Sequence, residues 1–170
     1  MYKNRKDLSK LVLLLSFESS SHDTAAPGHL CDSVSSLVSY LTLAVWYKSH
    51  TIEHVWPQNP NSNWPNCLDS TLHLNAIGNL SILPSSENSI ASNKNWSDKK
   101  AIYAILSELS LNNKETMAAE ARHNKVITAN QAYTLLKQSK LHPHIVALAN
   151  CDSWDASYVE ARGKNLLERV

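Results

Sequence analysis

Thr51-Ile52-Glu53-His54-Val55-Trp56-Pro57-Gln58 and, after a polar loop, Ile77-Gly78-Asn79-Leu80-Ser81-Ile82-Leu83-Pro84-Ser85-Ser86-Glu87-Asn88 and Ser92-Asn93-Lys94-Asn95-Trp96-Ser97-Asp98-Lys99 form the stretch whose reading decides the fold. Thr51 to Val55 is short and β-branched at both ends, and Pro57 has no N–H to offer a ladder, so a strand ending near His54 is expected. Pro57, Pro60, Pro65 and several asparagines make the segment from Pro57 to Asp69 a loop. Ser70 to Ala76 suits a helical turn stopped by Gly78. Asn79 to Leu83 alternates as a second strand, closed by Pro84. Ser86 to Ser92 suits a short helix, and Ser97 is the expected cap of a longer one that buries Ile102, Ile105, Leu106 and Leu109. The polar residues of the stretch therefore sit on a strand, loop, strand, helix unit.

Outward from this unit the chain reads as helical. Residues 4 to 18 suggest an amphipathic helix with Leu8, Leu11, Val12 and Leu15 on one face. The same run imitates a secretory signal, with Lys3, Arg5 and Lys6 ahead of the apolar Leu11 to Phe17. Asp7 and Lys10 interrupt the imitation, so a helix is the preferred reading. Ser19 to Gly28 is expected as a loop. Val34, Leu37, Val38, Leu41 and Val45 mark the face of a second helix. Glu115 to Val126, Asn130 to Lys140 and Trp154 to Leu167 are three further candidates, separated by an Asn-Thr turn and by a break at His142-Pro143-His144. No repeat, low-complexity tract or domain boundary interrupts the sequence, which implies one domain.

The 170 residues suffice to bury a real core, and a formal net charge of +1 argues against the broad basic surface of many nucleic-acid binders while leaving room for a local patch. Cys31, Cys67 and Cys151 are widely spaced, odd in number and outside any Cys-x-x-Cys pair. They read as reduced, half-buried thiols of a cytoplasmic protein, with no disulfide framework and no zinc ribbon. No run reaches the ~18 apolar residues of a membrane span, so no membrane partner is expected.

An acid beside a histidine, with an asparagine downstream and another nine residues later, supplies the ingredients of a one-metal phosphodiesterase. Hydrolysis of a phosphodiester needs a water relieved of its proton, a charge sink for the phosphate and help for the departing oxygen. A histidine serves the first need and one divalent cation the other two. His54 is the candidate base, because an ordinary imidazole titrates near working pH. The Glu53 carboxylate and the Asn88 amide oxygen suit a hard cation such as Mg2+ that keeps several waters. Neighbours on a strand point to opposite sides of the pleat, so Glu53 and His54 reach one site only if the strand ends there or bulges. Asn79 fits a bracing role through hydrogen bonds between the loop and the second strand. Lys94, Lys99 and Lys100, with Asn93, could contact phosphates, which positions a strand without reading its bases.

Each residue has a plainer reading when taken alone. An acid–histidine pair at a strand end is more often an exposed surface pair. Asparagines after Gly or Ser are usually turn residues. Lysines on an amphipathic helix are usually its wet face, and Trp56, Trp64 and Trp96 fit core or loop anchors better than base-stacking platforms. Only their joint order and spacing point to an enzyme.

Glu53-His54-x-x-Pro57-Gln58, then Gly78-Asn79-Leu80, then Asn88 and Ser92-Asn93-x-x-Trp96-x-x-Lys99 resembles the HNH, or ββα-metal, nuclease signature. The resemblance is strongest to the HNH domain at the C-terminal end of GmrSD-type, modification-dependent restriction endonucleases. The acid-His-x-x-Pro-Gln run and the step from Asn79 to Asn88 also resemble the HNH module of RNA-guided Cas nucleases. A weaker likeness continues to Trp154, Val159, Arg162 and Leu166. The resemblance implies His54 as general base and Asn79 as the structural asparagine of the catalytic motif. It implies Glu53 and Asn88 as ligands of Mg2+, Mn2+ or another divalent cation. Gln58, Asn93 and Lys99 occupy recurrent positions with a supporting or phosphate-contacting role. His73 falls where such domains often carry a polar residue before Gly-Asn, and a loop-stabilising role suits it better than a second catalytic one. Trp56 and Trp96 stand where aliphatic and phenylalanine residues are the rule, which keeps both positions hydrophobic.

The fold expected on these grounds is α+β, mostly α: a ββα-metal core over 51–110, a helical lead over 1–50 and C-terminal helices over 111–170, in a single HNH nuclease-like domain. The expected function is metal-dependent endonuclease hydrolysis of DNA, which the resemblance links to restriction of foreign or modified DNA and to phage defence. GmrSD-type proteins usually carry a large N-terminal domain resembling a nucleotide-dependent DNA-sensing module, and this sequence has no phosphate-cradling glycine loop to replace it. A separate DNA-sensing or NTPase subunit, a split gene and a decayed remnant all remain open as explanations. The alternative function is a non-cleaving, HNH-derived DNA-binding subunit. A further rival, a helical interaction protein with an accidental motif, predicts that Glu53, His54 and Asn88 lie far apart.

Overall fold

A computed structural model describes residues 5–33, 50–64, 67–138 and 142–170. The helix expected over Val34, Leu37, Val38, Leu41 and Val45 lies outside the described residues. The described chain is α+β and mostly helical: α1 (Lys6–Phe17), β1 (Ser20–His22), β2 (Leu30–Asp32), β3 (His50–His54), β4 (Leu80–Pro84), α2 (Ser85–Ala91), α3 (Trp96–Ser107), α4 (Leu111–His123), α5 (Ala129–Leu136), α6 (Pro143–Asn150) and α7 (Ala156–Leu167). A single 3-10 turn, Ile77–Asn79, leads into β4.

β3 and β4 pair antiparallel with Ile52 opposite Ile82, Glu53 opposite Ser81 and His54 opposite Leu80. Alternation along the two strands then divides the apolar residues between two cores. Leu80 and Ile82 join Leu13, Leu14 and Phe17 of α1 and Leu166 of α7, while Leu83 joins the core built on Tyr103, Ile102, Leu135 and Trp154. The hairpin is thus a wall between α1 on one side and α3 on the other. The α7 helix closes one end of it. Gly78 lies so near α7 that a Cβ there would come within 1.9 Å of the Val159 carbonyl oxygen, which leaves glycine as the residue that fits.

The structure corrects several expectations. One two-stranded sheet was expected and two are present among the described residues: β1, inside the segment expected as a loop, pairs antiparallel with β2 just beyond it. Their three-residue strands, Ser-Ser-His and Leu-Cys-Asp, carry no β-branched signal. In α1, Val12 is buried but Leu8 and Leu11 are exposed, and the inner face runs through Ser9, Val12, Leu13, Ser16 and Phe17. The cap of α3 is Asn95, whose side chain accepts from the Asp98 N–H at 2.9 Å, while the Ser97 hydroxyl donates to Asn95 Oδ1. Because α3 ends at Ser107, Leu109 falls outside it and is 69% exposed. The break at His142-Pro143-His144 is the start of α6, with Pro143 in its first turn, where a missing N–H costs nothing. Cys31 is half-buried, Cys67 exposed and Cys151 buried, and all three are free thiols. No helix of the described residues is long and apolar enough to cross a membrane.

Candidate functional site

β3 ends at His54, and that ending brings its last two residues to one place. Glu53 faces α3 and His54 the opposite side of the pleat, yet both line a cavity of about 240 Å³ at the end of the hairpin. Asn88 of α2, Gln58 and Asn59 of the loop after β3, and Ser92 and Asn93 after α2 complete its polar wall. The pair is no surface pair: Glu53 is 3% and His54 8% exposed. The wide separation of Glu53, His54 and Asn88 that the accidental-motif reading predicts is not found, since all three line one cavity.

The loop after β3 is held by Asn79. Its Oδ1 accepts from the Trp56 backbone N–H at 2.7 Å and from the Trp154 indole N–H at 3.1 Å. Its Nδ2 donates to the carbonyls of Trp56 at 2.9 Å and Leu74 at 3.0 Å. Two accepted and two donated bonds are all an amide side chain makes. Asn79 is fully buried and holds the chain on both sides of the site without facing the cavity. Arg162 supports the turn from behind, donating to the carbonyls of Gly78 at 2.6 Å and Leu80 at 2.9 Å.

Asn88 is used differently. Its Nδ2 donates to Thr51 Oγ1 at 2.7 Å and to the Ile52 carbonyl at 3.1 Å, which pins α2 to β3. Those bonds employ the nitrogen alone, so the amide oxygen is the donor atom Asn88 can present to the cavity it lines.

Glu53 is buried beside a buried cation. Lys99 Nζ meets Glu53 Oε1 at 2.5 Å and also donates to the His54 carbonyl at 2.8 Å. The Tyr103 hydroxyl donates to the same carboxylate oxygen at 3.1 Å. Burial raises the Glu53 carboxyl and lowers the Lys99 ammonium, while each charge pulls the other back toward its ionised form. Lys99, which is 0% exposed, is therefore a support of the acid–histidine pair and not a surface phosphate contact. Lys100 is paired with Asp152 at the edge of the helix.

Burial is also the main cause holding His54 below the ordinary histidine value, and the charges of Lys99 and Lys6 push the same way. A hydrogen bond with the Asn75 side chain opposes them. The result favours a neutral imidazole, the form able to take a proton. His73 sits apart from this cavity: its Nδ1 accepts from the Asp69 N–H at 2.9 Å, which leaves Nε2 as the protonated nitrogen facing Glu160 at 3.4 Å. It closes the turn that carries Asn75. The Trp56 and Trp64 rings are buried in the core, and Trp96 lies against Trp154 and Tyr103.

Asn75, Tyr103, Trp154 and Arg162 are supports of the candidate site that the motif alone does not assign. For Trp154, just before α7, and Arg162 within it, the signal is their place in a Trp-x-x-x-x-Val-x-x-Arg spacing; for Asn75 and Tyr103 the sequence offers none. Among the described residues, no group of three or more His, Cys, Asp or Glu side chains gathers as a metal cluster. Glu53 and Asn88 instead offer one carboxylate and one amide oxygen on one cavity, a hard-oxygen set suited to a single Mg2+-like ion that retains waters.

The family described as GmrSD restriction endonucleases, C-terminal domain, matches residues 2–169. A comparison with curated proteins gives no significant match.

Proposed function

Because this chain belongs to the family of C-terminal domains of GmrSD restriction endonucleases, we propose that it is a metal-dependent HNH endonuclease that hydrolyses DNA phosphodiester bonds at the cavity shared by Glu53, His54 and Asn88. The observation that carries the reading is that shared cavity: Glu53 and His54 at the end of β3 are buried, and Asn88 of α2, half-buried, joins them around one polar opening. In this reading β3, β4 and α2 are the ββα-metal unit, and the lead and C-terminal helices belong to the same domain. The match spans all three parts.

His54 takes the proton of the attacking water, and its lowered basicity keeps it neutral for the purpose. Asn75 orients the ring, and Asn79 fixes the backbone that follows it. Glu53 and Asn88 would hold a divalent cation such as Mg2+, which when bound neutralises the phosphate and eases departure of the leaving oxygen. Gln58, Asn59 and Asn93 rim the opening with neutral hydrogen-bonding groups suited to phosphate oxygens and sugars. Such a rim confers little sequence preference, so recognition of a particular or modified DNA falls to a DNA-sensing module, on a separate subunit or on another domain.

Purified protein incubated with plain and base-modified plasmid in Mg2+, Mn2+ or EDTA tests the proposal. Nicking or cutting that requires the metal and disappears in His54→Ala is the expected result. Cleavage that survives His54→Ala, or a folded protein that cuts nothing under any of these conditions, would overturn it.

A further inference from the structure

Resting on the reading of the cavity as a phosphodiester site, we propose that Lys99 is the built-in counter-ion of Glu53 and makes divalent-cation binding conditional on the substrate: the site takes its cation together with a DNA phosphate and not before it. Nine residues line the cavity, and Glu53 is the one acid among them. Its charge is already matched by Lys99 at 2.5 Å. The pair is neutral whichever partner holds the proton. What remains for an arriving cation is one carboxylate oxygen beside a buried ammonium, the Asn88 amide and an imidazole. Mg2+ sheds its water reluctantly and is ordinarily held by one or two carboxylates plus substrate phosphates, so a net-neutral protein cage holds it weakly until a phosphodiester supplies the missing negative charge.

Lys99 has no easy way out. It is 0% exposed, and its ammonium is held by Glu53 Oε1 and by the His54 carbonyl, from a helix whose next turn places Tyr103 on the same carboxylate oxygen. Tyr103 and Lys99 both act on Oε1, so Oε2 is the oxygen Glu53 would offer a cation. Lys99 is thus a positioning residue: it fixes one carboxylate oxygen and sets the charge that a cation meets. The consequence is protective, because a site that is unmetallated without DNA is idle without DNA.

The test is a Mn2+ titration followed by electron paramagnetic resonance, which reads free Mn2+ and needs no turnover. Arms are wild-type protein alone, a short DNA duplex alone, and the two together; the phosphates survive cutting, so cleavage during the titration does not remove them. Wild-type protein alone is expected to leave the Mn2+ signal almost unchanged. Protein and duplex together should remove Mn2+ beyond the duplex alone, with an affinity tighter by roughly tenfold or more, the scale of one partly screened charge interaction. Asn88→Ala should abolish that increment. Lys99→Met, checked for folding by its melting transition, should bind Mn2+ without DNA, and if it does not fold the wild-type arms decide alone. Wild-type protein that binds one Mn2+ equally well with and without duplex would overturn this proposal and leave the nuclease reading standing. An absence of protein-dependent Mn2+ uptake even with duplex would overturn both.

Discussion

β4 is flanked by two asparagines with opposite duties. Asn79, just before it, gives both oxygen lone pairs and both amide hydrogens to the protein: to Trp56 twice, to Leu74 and to Trp154. Asn88, four residues beyond the strand, gives only its nitrogen, to Thr51 and Ile52, and lines the cavity. Identical side chains therefore separate structure from chemistry. At the saturated end, substitution should appear in stability. At the half-used end it should appear in activity.

The largest effect is expected at the saturated end. Asn79→Ala strands the Trp56 N–H, the buried Trp154 indole N–H and two carbonyls, and should cost about 4 kcal/mol in a denaturant titration. Asn79→Asp sharpens the point, since it keeps the acceptor but loses both donors and buries a charge; it too should destabilise the fold by several kcal/mol, on the order of the Ala variant. An Asn79→Ala protein with wild-type stability would break the comparison.

Asn88→Ala is expected to change the midpoint of unfolding by less than about 1 kcal/mol, because its two bonds lie at a partly exposed edge. Its cleavage rate should fall by roughly a hundredfold or more, since a ligand that stabilises transition-state charge is worth several kcal/mol. Large destabilisation with little loss of specific activity would reverse the assignment of the two ends.

The smallest effect is a shift in pH profile. His54 acts as a base when neutral, so the rate should rise with pH through its folded pKa and level off above it. Burial, with Lys99 and Lys6, places that pKa below 6.5, and the acidic limb should lie below this value in a rate measurement over pH. Loss of the Lys99 charge in Lys99→Met should move the limb upward, toward the ordinary histidine range. A limb above 6.5 in the wild-type protein would contradict the burial argument.

How much of this the sequence disclosed follows from the range of each interaction. The β3 and β4 strands, α2 and the grouping of Glu53, His54 and Asn88 were legible because local alternation, prolines and motif spacing act over a few residues. Asn79 was legible as a brace for the same reason, although its bond to Trp154 spans 75 positions. The partner of Glu53 was not: Lys99 lies 46 residues away and its helix reads as having a wet face there. Tyr103 and Asn75 were hidden likewise, as each acts only through a fold that brings distant elements together. The β1 and β2 hairpin escaped because its short strands lack β-branched residues. It is held instead by distant elements: Leu30 packs with Phe17 of α1 and Ala147 of α6, and α7 places Asn165 on the Leu30 backbone and Tyr158 on the Gly28 carbonyl. His142-Pro143-His144 was read as a break between helices, and Pro143 instead opens one, since a proline can end a helix or begin it.

The measurement that tests the central claim most directly is nicking of supercoiled plasmid in Mg2+ and in Mn2+ by wild-type, Asn88→Ala and His54→Ala proteins of matched melting temperature. Cleavage by the wild-type protein alone, with both variants folded and nearly inactive, is the expected result. Equal cleavage by all three, or none by a folded wild-type protein, would contradict it.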